Sequence, residues 1–572
     1  MKYFPIIFGV FFVSFILCND YEDGLFLARI TGFDDFDARI IGRRYGFEAL
    51  RKLQSYDDVY IGRRLQRRKR SIEDEILSDM LFSHQLTFIS KLYRFSRYKR
   101  SAVTMKGTPI HLIKSEVEVL SKVCVSVYKD KCPDVHGENI CTFQWNLLPS
   151  MRIREAWEAG FNASRVTVAV VDDGVDVAHV DLRTAFSPDV SFDFVKFGSL
   201  PIPAVSKDTQ HGTQCAGLVA MEGNQCGLGV GHGATLGAIR LLGQDTLNDA
   251  LEGDALAFQK NLIDIYSVSW GPKDDGLTAE KPAKFTQEAI RNGAIHGRKG
   301  LGNIFVWASG NGGMNGDNCA LDGYVSNEYT ISFGVVDSTG APASYAEGCS
   351  SVLAAVSGGD SMIQTTGLES KCSVISGSSA SAAIASGVIA LALEANPTLS
   401  QRDIQHLIVH TANPSAIRDV KFSENAVGLK FHPNVGFGLL DAQKLVERAA
   451  TWQNVGEQKV CRKTKLLSGD IDVTDCVDVT RTERVILTGS VIHPHRGQVS
   501  MHIESPHGTI SELLPLRPKD ESSDLLEWDF VSVHFFGESP KGVWKLKVIS
   551  EEDLKDPESF RVKLTEFRIT GT

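Results

Sequence analysis

The sequence has no internal repeat, no low-complexity tract and, beyond Leu17, no apolar run resembling a membrane span. Those absences set aside solenoids, fibrous chains and a multi-pass membrane protein. Basic charge is not in excess either: 60 Lys and Arg against 70 Asp and Glu leave a net charge of −10. That argues against a nucleic-acid partner and suits a cationic substrate, although solvated surface acids explain it equally well. The 11 cysteines do not fall at metal-ligand spacing, so a few disulfides in an oxidising compartment are the economical reading. N-glycosylation acceptors are scarce, and Asn162-Ala163-Ser164 alone has a permitted middle residue.

What is present begins with an ordinary globular composition, 43% hydrophobic and 23% charged over 572 residues, long enough for two or three domains. The opening MKYFPIIFGVFFVSFILCND carries a lysine and then an apolar run from Phe4 to Leu17. That run is too short to span a bilayer comfortably and fits a signal peptide over 1–18. Its removal would take Cys18 with it. Residues 19–100 hold two basic clusters, Arg67-Arg68-Lys69-Arg70 before Ser71 and Arg97-Tyr98-Lys99-Arg100 before Ser101. In a secreted chain, exposed clusters of this kind are protease sites. A linker over 101–144 contains Cys124, Cys132 and Cys141.

From 145 to 452, strand-like runs (VTVAVV, LGAIRL, IDIYSVSW, GNIFVWASG, YTISFGVV) alternate with helical stretches such as ASAAIASGVIALALEAN. The alternation predicts an α/β domain around a mostly parallel sheet. From 453 to 572 the texture changes to short strands separated by Gly, Pro, Asp and His turns, which predicts an all-β sandwich or jelly roll.

Four islands carry the chemistry. VVDDGVD places Asp172 and Asp173 at the carboxyl end of a buried strand; QHGTQCAG holds His211; FVWASGNGG holds Asn311; SGSSASAAIASG holds Ser379. A serine hydroxyl needs a base to take its proton, and the base needs a carboxylate to fix its tautomer. The order acid, histidine, serine is that of subtilisin. Ser379 opens a long apolar helix, where its backbone N–H can stabilise an oxyanion, and the Asn311 amide can be the second donor. Any one island alone would be an ordinary glycine-rich turn. The four together are not.

These motifs, with SWGPKDDG and a prodomain-like RRYGFEAL, make the chain resemble the proprotein convertases, the kexin/furin branch of the subtilisin-like serine proteases. The resemblance implies a prodomain of small α+β type over 19–100, a subtilisin-like domain over 145–452 and a P domain over 453–572. It makes Asp172, His211 and Ser379 the triad and Asn311 the oxyanion residue. Asp173 and Asp208 would hold a basic residue at P2, Asp274 and Asp322 an arginine at P1, and Glu252 and Glu280 a basic residue at P4. Calcium is the implied cofactor, with Asp274, Asp317 and Glu347 at one site and Asp181 with Asn224 at another. The loop Met221-Glu222-Gly223-Asn224-Gln225 is shorter than the family's, and FVKFGSLPIP replaces the acidic run after Asp193. The implied disulfides are Cys226–Cys372, Cys319–Cys349 and Cys461–Cys476, with Cys215 free. GSSASAA, with Ala383, replaces GTSASAP, and the tripeptide of some relatives reads His495-Arg496-Gly497-Gln498.

The expectation is thus a monomeric, calcium-dependent endoprotease of the secretory lumen. It would cut proproteins after paired basic residues and be held at first by its own prodomain. Self-cleavage is expected between Arg100 and Ser101, then between Arg70 and Ser71. An inactive homologue would have lost a triad member, and a broad degradative subtilisin would lack the ring of acids.

Overall fold

The computed structural model describes residues 151–572 except 199, 244–246, 360–362, 465, 467–468 and 554–555; before 151 it describes only short strands of backbone. The chain divides into two compact units. One takes 1–95, 245–259 and 283–292, and the other 96–244, 260–282 and 293–572. In that unit the strands Val13–Leu17, Leu25–Ile30, Val59–Arg64 and Phe47–Lys52 lie side by side in this order, all antiparallel.

The second unit is built on a seven-stranded sheet. In chain order its strands are β1 (Thr167–Asp172), β2 (Phe192–Asp193), β3 (Thr235–Arg240), β4 (Ile265–Val268), β5 (Ile304–Ala308), β6 (Thr330–Val336) and β7 (Val352–Ser357). They lie in the order β7-β6-β5-β4-β1-β3-β2, and every pairing is parallel. β4 to β6 are buried at every position, as a parallel sheet covered on both faces requires. The chain leaves β1 toward β3 and β2 on one side and reaches β4 to β7 on the other. β1 is therefore the switch point, and beyond the carboxyl end of such a strand is where open α/β sheets place their sites.

Two helices bring side chains to that end. α1 (His211–Ala220) is buried at all its positions, and α2 (Ser378–Ala395) at its first sixteen. The small residues of α2 allow close approach: a Cβ on Gly387 would come within 2.5 Å of Val230 Cβ. α2 is long and apolar enough to cross a membrane, but 89% of it is buried within this core.

The β module follows as two four-stranded antiparallel sheets. One runs Lys459–Lys463, Arg561–Gly571, Thr482–Ile492, Leu526–Ser532; the other Asp470–Asp472, Val543–Ser550, Val499–Glu504, Ile510–Leu514. Trp528, Phe530, Phe535, Trp544, Phe567 and Met501 fill the core between them. The module is tied to the α/β core by buried ion pairs. Arg402 holds both oxygens of Glu483 at 3.0 and 2.5 Å, and His406 Nε2 lies 2.7 Å from Glu483 Oε1. Cysteine bridges join Cys226 to Cys372, Cys319 to Cys349 and Cys461 to Cys476, while Cys215 is buried and forms no disulfide among the described residues.

Candidate active site

β1 ends in Asp172, whose carboxylate is 1% exposed. Its Oδ2 lies 2.8 Å from His211 Nδ1, and its Oδ1 accepts from the Asp173 amide at 2.8 Å. With Nδ1 donating to the carboxylate, Nε2 is left as the acceptor, the tautomer a general base requires. That Nε2 is buried and has no hydrogen-bond partner among the described residues. Gly212 makes the approach possible, since a Cβ there would meet Gly174 O at 2.4 Å and Asp172 Cβ at 2.9 Å.

The adjacent Asp173 has a local task that the sequence reading missed. It too is 1% exposed, and its oxygens accept the amides of His211 (3.2 Å) and Gly212 (2.8 Å). The carboxylate thereby caps α1 and fixes the backbone that presents the histidine. The two adjacent acids are tolerated because each has its own donors.

α2 supplies Ser379 in its first turn, after Gly377 at φ 107°. Ser379 Oγ donates to Ser269 O at 3.2 Å, just beyond the end of β4. His211 Nε2 does not engage that hydroxyl in this structure, and catalytic hydrogen bonds often tighten only when substrate is bound. Asn311, beyond β5, is held by two bonds. Its amide donates to Asp274 Oδ2 at 2.9 Å, and its Oδ1 accepts from Ser378 N at 3.0 Å. Its Nδ2 is buried and without a partner among the described residues. A free donor fixed beside the serine helix is what a developing oxyanion needs.

The edge Trp270–Gly271 continues from β4. It pairs antiparallel with Tyr98–Lys99, Trp270 opposite Lys99 and Gly271 opposite Tyr98. An extended segment therefore lies as an added strand beside the site. Arg100, Ser101, Arg70 and Ser71 lie outside the described residues.

The other expected acids are placed as follows. Asp322 is buried, and its Oδ1 accepts from Tyr324 N (2.8 Å) and Val325 N (3.3 Å). Glu280 forms a backbone bridge with it. Asp208 is exposed, and its amide donates to Ser206 Oγ. Glu252 is buried on the helix Asp249–Ala257, in the other compact unit. Asn162 is half-buried, with its Oδ1 accepting from Ser164 N at 3.1 Å and Ser164 Oγ at 2.5 Å.

The two expected calcium sites differ. Asp274, Asp317 and Glu347 surround the glycines after β5: a Cβ on Gly310 would lie 2.4 Å from Glu347 Oε1, and one on Gly312 2.7 Å from Asp317 Cβ. Carboxylate oxygens are the hard donors calcium takes, and here they also accept from Asn311 N, Gly276 N, Gly312 N and Arg517 Nη2. Burial raises the pKa of Asp317; Arg517 opposes the rise, and the Asp274 charge adds to it. Asp181 is engaged by backbone amides. Its Oδ1 accepts from Asn224 N (2.5 Å) and Gln225 N (2.9 Å), its Oδ2 from Cys226 N (2.6 Å), and Asn224 Nδ2 is turned onto Val180 O. The loop thus brings three amides to the carboxylate of the expected ligand Asp181. His179, Asp181 and Cys226 do bring one ligating atom each within 4.8 Å of one another, but Cys226 is committed to its disulfide. Asp274, Asp317 and Glu347 are not gathered that tightly. Asp193 is filled in the same manner, by Arg240 and by the amides of Val195 and Lys196.

Residues 163–438 match the family model for the Subtilase family, and 482–570 that for the Proprotein convertase P-domain. The chain is 69% identical over 563 residues to "Endoprotease aex-5" of Caenorhabditis elegans, covering 98% of both proteins. The chain is a proprotein convertase. This convertase is also 40% identical to "Furin-1" of Xenopus laevis over 80% of its own length, and that match takes in 62% of the relative. Among solved structures, a serine protease of Aeromonas sobria superposes with TM-score 0.66 at 22% identity, over 76% of this chain and 95% of that one, a likeness of fold. The convertase is accordingly a serine endopeptidase of the proprotein-processing type.

Proposed function

We propose that this convertase cleaves secreted precursors after paired basic residues, with arginine at P1, lysine or arginine at P2 and a basic residue at P4. The observation that carries the reading is the pairing of Trp270–Gly271 with Tyr98–Lys99. With Lys99 opposite Trp270, a peptide continued by one residue sets that next residue opposite Ser269, whose carbonyl holds the Ser379 hydroxyl. In this sequence the next residue is Arg100. This register supports a reading in which Arg100 is P1, Lys99 P2 and Arg97 P4, with Arg100–Ser101 as the scissile bond.

In the reaction, Ser379 Oγ attacks the P1 carbonyl while His211 Nε2 takes its proton, oriented by Asp172 through Nδ1. The Asn311 Nδ2 and the first-turn amide of α2 stabilise the oxyanion, and the histidine returns its proton to the leaving amine. Asp274 and Asp322 serve the P1 guanidinium, and Asp173 and Asp208 flank P2. A buried carboxylate left without its cation costs several kcal/mol, on the order of truncated interface charge pairs, so neutral P1 side chains are rejected. Calcium, held by Asp274, Asp317 and Glu347, would supply fixed positive charge that keeps these loops in place. Action in the secretory lumen accords with the apolar N-terminal run and the disulfides. The decisive test is N-terminal sequencing of secreted wild type and Ser379→Ala in cells lacking other convertases. Wild type should begin at Ser101 and the variant retain its prodomain; a variant matured like wild type would defeat the reading.

A further inference from the structure

We infer that Arg517 of the β module is a positioning residue for the catalytic centre, acting on Asn311 through the loop 274–278. The inference rests on the function proposed above. Arg517 lies in the segment after the strand Ile510–Leu514 and is 1% exposed, a large desolvation for a guanidinium unless its partners compensate. One partner is in its own module: Nη1 donates to Asp520 Oδ2 at 3.1 Å. Two are in the catalytic domain: Nη2 donates to Asp317 Oδ1 at 2.9 Å and to Thr278 O at 2.8 Å.

From those two contacts a short path leads to the oxyanion donor. Asp317 Oδ2 accepts from Gly276 N at 2.7 Å, which pins the turn of SWGPKDDG. Asn315 Nδ2 holds Asp274 O at 2.9 Å, and Asp274 Oδ2 accepts from Asn311 N at 2.9 Å. Arg496 steadies the anchor: it forks onto both oxygens of Asp520 at 2.8 and 3.0 Å and donates to Leu277 O at 3.1 Å. The β module thus grips the 274–278 loop at the carbonyls of Leu277 and Thr278 and holds Asp317, the acid that pins Gly276 N; that loop carries the acid on which Asn311 rests. A planar fork fixed at three acceptors holds a loop more tightly than the single ammonium of lysine. Displacement of a positioned donor by about 1 Å can cost on the order of a hundredfold in rate.

If Arg517 served stability alone, its loss would lower the yield of folded enzyme and leave each active site unchanged. The test therefore counts sites first. Wild type, Arg517→Lys, Arg517→Met, Asn311→Ala and the double variant Arg517→Met/Asn311→Ala are titrated to completion with a fluorophosphonate probe. The rate of Ser379 phosphonylation per titrated site is then measured, along with kcat and KM on an Arg-X-Lys-Arg peptide. Phosphonylation uses the oxyanion donors without needing the dibasic preference, so failure of the proposed function appears separately, as a wild type that reacts with the probe and ignores the peptide. The expected order of rates is wild type, then Lys, then Met, with Met lower by about tenfold or more and the effect mainly in kcat. The double variant should be no slower than Asn311→Ala alone, because both changes remove one donor. Unchanged rates per site in Arg517→Met, or losses that simply multiply in the double variant, overturn the inference. Should methionine prevent secretion, Arg517→Lys runs through the same cycle with the same criteria.

Discussion

At the scale of single residues, two unpaired atoms define the chemistry. His211 Nε2 and Asn311 Nδ2 are both buried without hydrogen-bond partners among the described residues, although burying a polar group unpaired costs about 1–3 kcal/mol. Such a cost is kept where the missing partner is the substrate. For Asn311 the orientation is enforced, because its Oδ1 is engaged by Ser378 N and the amide nitrogen has no choice but to face away. Asn311→Ala should lower kcat by about 10²–10³-fold with KM little changed, the usual result of deleting one oxyanion donor. Steady-state kinetics on titrated enzyme check this, and a comparable rise in KM with kcat preserved would mean that Asn311 serves substrate binding. Ser378 is the matching control for the nucleophile: its hydroxyl accepts from Gly310 N at 3.3 Å, so Ser378→Ala should retain cleavage where Ser379→Ala abolishes it.

At the scale of elements, the turn Asn224–Cys226 shows how a buried acid is satisfied by the backbone. Three amides donate to the Asp181 carboxylate. Asp181→Ala should therefore cost about 1–3 kcal/mol of stability, the penalty of orphaning buried donors, while the number of calcium ions bound stays the same. Thermal unfolding and calcium titration of the Ser379→Ala background measure the two; loss of one bound calcium would restore Asp181 as a ligand. Chelation of calcium should instead reduce activity through the cradle of Asp274, Asp317 and Glu347. The same comparison marks what was legible in the sequence. Strand runs ending in Asp172 and Asn311 and helices opening at His211 and Ser379 are local signals, readable from periodicity and flanking glycine. The helix cap by Asp173 was hidden, since a carboxylate next to Asp172 looks the same in sequence whether it faces substrate or backbone. The filling of Asp181 depended on a loop one step too short, whose consequence is geometric. Arg517 stands 200 residues from Asp317, and no local pattern joins them.

At the scale of the whole molecule, the β module carries a buried group that titrates against folding. Burial pushes His534 down to about 3, helped by the charge of His432. Its Nδ1 lies 2.9 Å from Ser511 Oγ, its Nε2 is unpartnered among the described residues, and its ring stacks on Phe431 at 4.2 Å. The unfolded chain protonates this histidine near pH 6.5 and the folded one near 3, so stability is unaffected above 6.5 and is lost as pH falls below it. The loss is about 1.4 kcal/mol per pH unit until the folded value is reached. Glu483 at the junction behaves differently. Burial pushes its carboxyl up, but hydrogen bonds and charge from His406 and Arg402 outweigh this and hold it at about 2. Its contribution is lost only as pH falls through the ordinary carboxylate value of 4.5 toward about 2, so it stays constant between about pH 7 and about pH 5.5, where the His534 effect is read. Acidification from about pH 7 to about pH 5.5 should therefore lower stability by on the order of 1 kcal/mol through His534, a few degrees in Tm for a domain of this size. His534→Gln, which cannot titrate, should begin less stable, having lost the stacking on Phe431, yet change less between the two pH values. Thermal unfolding of the two proteins in the Ser379→Ala background, which prevents self-digestion, gives the comparison, and an equal fall in Tm for both would remove His534 as the source.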